Sequence, residues 1–146
     1  MKKTLLFLVS ALSAGCGGSG VAGLLTVEGE VTYDGKPVAN AAILFIPEKG
    51  QSAYGVTDSR GHYMLTTRAP GDGALPGGYR VTVSAVVQEG GHAVDERGLE
   101  DTSRPERPVT IRRLVPEVYS DPNRSGLTAV VAPENRKHDF ALAPRS

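Results

Sequence analysis

The chain has 146 residues, with 16 basic and 16 acidic side chains, 18 Gly, 10 Pro, no Trp and one Cys. That length supports one domain with one buried core, and the balanced charge offers no basic stripe, so nucleic acid is not an expected partner. A lone thiol excludes an intramolecular disulfide, and it excludes a multi-thiolate zinc site or iron–sulfur cluster held by one chain.

Residues 1–15 differ in character from the rest. Lys2 and Lys3 give a positive start, and the run from Thr4 to Ala14 is apolar apart from a threonine and two serines. As a helix that run rises only about 16 Å, roughly half of a ~30 Å hydrocarbon core, so it reads as the apolar part of an export signal and not as a permanent span. Ser13-Ala14-Gly15-Cys16 resembles the bacterial lipobox, with Ser13 where a Leu is usual and Leu12 one position earlier. The resemblance implies diacylglyceryl transfer to the Cys16 sulfur and cleavage that leaves Cys16 as the new N-terminus. Gly17 to Gly23 then forms a flexible tether, and residues 24–146 form a single domain. Two or more acyl chains, at about 0.8 kcal/mol per buried CH₂, would hold the protein to a bilayer. The expected location is a membrane surface facing the periplasm or the outside.

From Leu24 to Tyr33 the residues alternate, with Val27, Gly29, Val31 and Tyr33 on one face, which predicts a half-buried strand. Asp34-Gly35 predicts a tight turn. Ala41 to Pro47 is continuously apolar and predicts a strand buried on both sides, or one near an edge closed by Pro47. Ala53 to Thr57 and His62 to Thr67 read as strands around a second turn, Asp58 to Gly61. A Gly/Pro-rich loop from Ala69 to Gly78 delivers the clearest strand, Gly78 to Val87, in which Tyr79, Val81, Val83, Ala85 and Val87 share a face. Gln88 to Arg113 carries eleven charges in twenty-six residues and predicts a solvated, mobile insertion. Order returns at Leu114 to Tyr119, and strands at Leu127 to Val131 and Lys137 to Leu142 close the chain. Seven strands and no convincing helical periodicity favour an antiparallel two-sheet sandwich.

The order of these motifs resembles a known family. Val27-Glu28-Gly29-Glu30-Val31-Thr32-Tyr33-Asp34-Gly35-Lys36-Pro37, then Phe45-Ile46-Pro47, then Gly55-Val56-Thr57-Asp58-Ser59-Arg60-Gly61-His62-Tyr63 resemble the carboxypeptidase regulatory-like domain. Pro76-Gly77-Gly78-Tyr79-Arg80-Val81 and Pro116-Glu117-Val118-Tyr119 are similar to small lipoproteins abundant in planctomycete-type bacteria. The resemblance covers residues 24–143 and implies an all-β fold, a seven-stranded antiparallel Greek-key β-sandwich of transthyretin (prealbumin) type. It brings no catalytic residues, because the matching positions are turn formers and core positions.

The search for chemistry yields no expected catalytic, cofactor-binding or metal-binding residues. His62, His92 and His138 lack metal-ligand spacing, and His62 and His138, each beginning a strand, are expected to face solvent. Asp58, Ser59 and His62 have the residue types of a hydrolytic triad but share one tight turn. Asp34, Asp58 and Asp72 would gather Ca²⁺ only if their loops met, and each has an ordinary turn role. Hydroxyisourate hydrolases share the transthyretin-like fold and end in Tyr-Arg-Gly-Ser, whereas this chain ends Ala143-Pro144-Arg145-Ser146 and has no His before His62. The expected function is therefore that of a non-enzymatic, membrane-anchored lipoprotein whose sandwich serves a structural or protein-interaction role at the envelope. The loop Pro70 to Gly78 and the insertion Gln88 to Arg113 are the expected surface for an envelope protein. A carbohydrate-binding module is the alternative, although five tyrosines mostly on strands make a poor stacking platform.

Overall fold

Alternating apolar side chains and glycine-marked turns produce an all-β domain in the computed structural model, which describes residues 23–91, 97–99 and 107–145. Cys16, the expected export signal, the expected tether up to residue 22, and His92 lie outside the described residues. Ten strands are present among them: β1 (Glu28–Tyr33), β2 (Lys36–Pro37), β3 (Ala42–Pro47), β4 (Ala53–Val56), β5 (His62–Met64), β6 (Gly77–Ser84), β7 (Val86–Gly91), β8 (Arg107–Arg113), β9 (Leu127–Val131) and β10 (Phe140–Leu142). A 3-10 turn at Glu117–Ser120 is the one helical element described.

The strands form three sheets. The first is four-stranded: β1 lies between β10 on one side and β2 and β5 on the other. The second has the order β4-β3-β6-β9, and the third is the ribbon β7-β8. All pairs are antiparallel but one, since β1 and β10 run parallel with Val31 opposite Phe140 and Tyr33 opposite Leu142. The seven-stranded, wholly antiparallel expectation is corrected on both counts. The count rises by β2, where the Asp34-Gly35 turn, with φ angles of 50° and 74°, suits a right-twisted two-residue hairpin, and by the ribbon strands β7 and β8. The second correction comes from a pairing between residues more than a hundred positions apart, which no local pattern encodes.

The first two sheets enclose the core. Val27, Gly29 and Val31 of the first face Ile43, Phe45, Val81, Val83 and Val131 of the second, as the alternation predicts. Phe45 is the hub: its ring centroid lies 6.4 Å from Tyr63, 5.6 Å from Tyr79 and 6.0 Å from Phe140. Each such tilted contact adds roughly 0.5–1.5 kcal/mol beyond the area buried. The double burial expected of Ala41 to Pro47 is not observed. β3 is central in its sheet, yet Ala42 and Leu44 on its outer face are exposed, because no described element forms a third layer on that side.

Strand β6 ends at Ser84 instead of running on to Val87. The chain turns out of the core there and continues as β7, whose partner β8 is fully exposed. The ends of the expected insertion, Gln88–Gly91 and Arg107–Arg113, are thus ordered as ribbon. Solvation is as the charge predicts, but backbone pairing needs no apolar face. The stretch from Leu114 leads into the 3-10 turn and not a strand, placing Tyr119 in the core.

Candidate functional site

Strand β6 separates the two surfaces singled out in the sequence. Its eight residues span roughly 23 Å, with the Gly/Pro loop before it and the ribbon after it, so the structure does not bring those surfaces together.

The Gly/Pro loop is held by its own polar groups. The Asp72 carboxylate accepts backbone N–H bonds from Thr67 at 2.7 Å, Ala69 at 2.9 Å and Arg68 at 3.0 Å, and these hold it below the usual carboxylate range. The Thr67 hydroxyl donates to the Gly73 carbonyl, and the Tyr79 hydroxyl to the Leu75 carbonyl. Leu25 and Ala74 exchange both backbone bonds, at 2.8 and 2.9 Å. The N-terminal segment therefore enters the domain at this end.

At the opposite end a cleft of about 650 Å³ opens between the β1–β2 hairpin and the base of the ribbon. Pro37, Val38, Val86 and Leu114 supply much of its apolar wall. Both walls are pinned. On one, the buried Thr57 hydroxyl donates to the Val38 carbonyl and accepts the Ala41 amide, and Asn40, at φ 54°, donates its amide to the Thr57 carbonyl. On the other, the Leu114 amide donates to the Ala85 carbonyl at 2.8 Å. This volume lies within the ordinary range for small-molecule sites. The cleft is invisible in the sequence, because it joins segments some fifty and eighty residues apart.

The residues weighed for catalysis have other work. The Asp58 carboxylate accepts the amides of Arg60 at 2.8 Å and His62 at 3.0 Å, which holds it below its ordinary range and occupies it in closing the turn. His62 is exposed, as expected, 3.9 Å from Glu30. His138 is not solvent-facing: its ring packs 5.9 Å from Phe45, its Nε2 is buried without a partner, and burial lowers its pKa. The two histidines thus point apart. Asp34 and Asp72 sit at opposite ends of the domain, and among the described residues no group of three His, Cys, Asp or Glu could hold a metal ion. Arg145 lies 4.9 Å over the Tyr119 ring, so this C-terminal cation packs against the core. Tyr63, Tyr79 and Tyr119 are buried, Tyr33 lines the cleft, and Tyr54 alone of the five is mostly exposed.

No protein-family model matches the chain, and no curated protein matches it. Among solved structures, a 9R-lipoxygenase from Cyanothece PCC8801 is similar over 98% of this chain, with 13% identity and a TM-score of 0.33. This chain spans 18% of that protein's length, and a likeness of that degree carries no argument about fold or activity. No described helix is long and apolar enough to cross a membrane.

Proposed function

We propose that the protein is a lipid-anchored, non-enzymatic binding module of the cell envelope, built on a Greek-key β-sandwich of the transthyretin-like, carboxypeptidase regulatory-like kind. The observation that carries this reading is the position of Cys16. The one thiol of the chain stands directly behind an eleven-residue apolar run and in front of a glycine-rich stretch that ends where the sheets begin. Diacylation of that sulfur fixes the protein to a membrane, and its role is location, not catalysis. The non-enzymatic part is supported by the use of Asp58 and Asp72 in closing turns and by the packing of the His138 ring against Phe45.

Leu25 joins the domain beside Ala74, so a tether from Cys16 meets the domain at the Gly/Pro-loop end, and the cleft and the ribbon base are at the other end. A rigid scaffold that displays loops and clefts at its free end is how such modules usually carry function. Metabolic labelling with palmitate in a bacterial host tests the anchor. Wild type should be labelled and Cys16→Ala should not. Equal labelling of both, or labelling of neither, overturns the reading.

A further inference from the structure

Four polar side chains line the cleft between the hairpin and the ribbon: Tyr33, Lys36, Asn40 and Gln88. Among the described residues none of the four has an intramolecular side-chain hydrogen bond or ion pair. The cleft's polar groups are thus left to solvent or a ligand, unlike Thr57, Thr67, Asp58, Asp72, Ser125, Tyr63, Tyr79 and Tyr119, which are bonded internally. Among the described residues no Asp or Glu lines the cleft, and Lys36 carries the one formal charge in its lining. Lys36 is donor-only, and the two amides and the phenol donate as well as accept. The remaining wall is aliphatic, and Val86 is held half out of the core, 53% exposed, with no apolar cover.

We propose that this cleft binds a small amphipathic carboxylate, with an aliphatic body against Val38, Val86 and Leu114 and its acid group toward Lys36 at the rim. The complementarity decides the class. A cation meets Lys36 and finds no acid. A sugar finds no flat aromatic face beyond half-buried Tyr33. A purely apolar molecule leaves the donors to water and gains nothing from them. The walls need no rearrangement to receive the ligand, because Thr57 and the Ala85–Leu114 bond already fix them. This inference does not rest on the anchor: it concerns residues at the far end of the domain and stands whether or not Cys16 is acylated.

The test is ligand-observed NMR on the full chain in phosphatidylcholine nanodiscs, with empty nanodiscs subtracted and hexanoate and hexylammonium as probes. Hexanoate should bind saturably and hexylammonium should not. Lys36→Glu, an exposed substitution that leaves the core untouched, should weaken hexanoate about tenfold, and Val86→Asp, which sets a carboxylate against the ligand's own and removes aliphatic wall, should abolish binding. Lys49→Glu, at the other end of the domain, should bind as wild type. The proposal is overturned by absence of saturable hexanoate binding, by equal binding of the two probes, by wild-type affinity in Lys36→Glu, or by an equal loss in Lys49→Glu.

Discussion

The buried Thr57 hydroxyl donates a 2.6 Å hydrogen bond to the Val38 carbonyl and accepts the Ala41 amide at 2.8 Å. One oxygen thus satisfies two backbone groups that the sheets leave unpaired, and it sets the cleft wall. Thr57→Val keeps the shape and removes both bonds. It should cost about 1–3 kcal/mol in urea unfolding, while Thr57→Ser should retain most of the stability. A Thr57→Val protein as stable as wild type would show that the wall stands without the pin.

Two strand glycines should respond in opposite ways to the same substitution. A Cβ on Gly29 would lie 1.9 Å from the His138 carbonyl oxygen, backbone that cannot move without breaking the approach of the C-terminal strand. Gly29→Ala should therefore lose more than about 3 kcal/mol. A Cβ on Gly78 would meet nothing within 4 Å, and its backbone is not left-handed. Gly78→Ala should be neutral or stabilise by up to about 1 kcal/mol, through reduced freedom of the unfolded chain. Equal denaturation midpoints for the two variants would contradict this account of the β1–β10 contact.

Acid should weaken the fold in two separate steps. Burial lowers the pKa of His138 below its ordinary 6.5, so the unfolded chain binds that proton more readily than the native one. Stability contributed by neutral His138 is complete above about pH 6.5 and falls as the pH drops below it. His138→Phe should flatten this limb of a urea-midpoint profile. Asp58 and Asp72 are held below their ordinary 3.8 by backbone N–H groups, so their contribution is present above that pH and lost below it. If the His138→Phe profile still falls between pH 6.5 and 5 as wild type does, the first step has another origin.

The ribbon should be dispensable for folding. The Leu114 amide bonds to the Ala85 carbonyl at 2.8 Å, the bond a β-turn makes across its ends. Replacing residues 86–113 with Asn-Gly should close that turn and change stability by no more than about 1 kcal/mol, because β8 is exposed throughout and β7 nearly so. The same excision removes Val86 and Gln88 and should abolish hexanoate binding. A shortened chain that fails to fold would mean the ribbon supports the core.

Most of the double-layered core was legible because alternation is a local signal. Val27 just before β1, Gly29 and Val31 within it, and Tyr79, Val81 and Val83 of β6 are buried as their spacing demands. Three features were not legible, each for a physical reason. The ribbon forms from backbone pairing between Val86–Gly91 and Arg107–Arg113 without a buried face, so hydrophobic pattern is silent about it. The outer face of β3 is apolar but uncovered, and composition cannot say whether a layer exists to cover it. Imidazole suits both core and surface, and the inward turn of His138 follows from the parallel approach of β10 to β1. The cleft inherits the first of these failures, since Val86, Val87 and Gln88 of the ribbon form one of its walls.

The claim on which the functional account stands is measured most directly at the mature N-terminus. Mass spectrometry of the N-terminal peptide from membrane-purified protein should find Cys16 as the first residue, carrying a diacylglyceryl thioether. An unmodified Cys16 within a longer peptide, or a first residue downstream of it, would contradict the account.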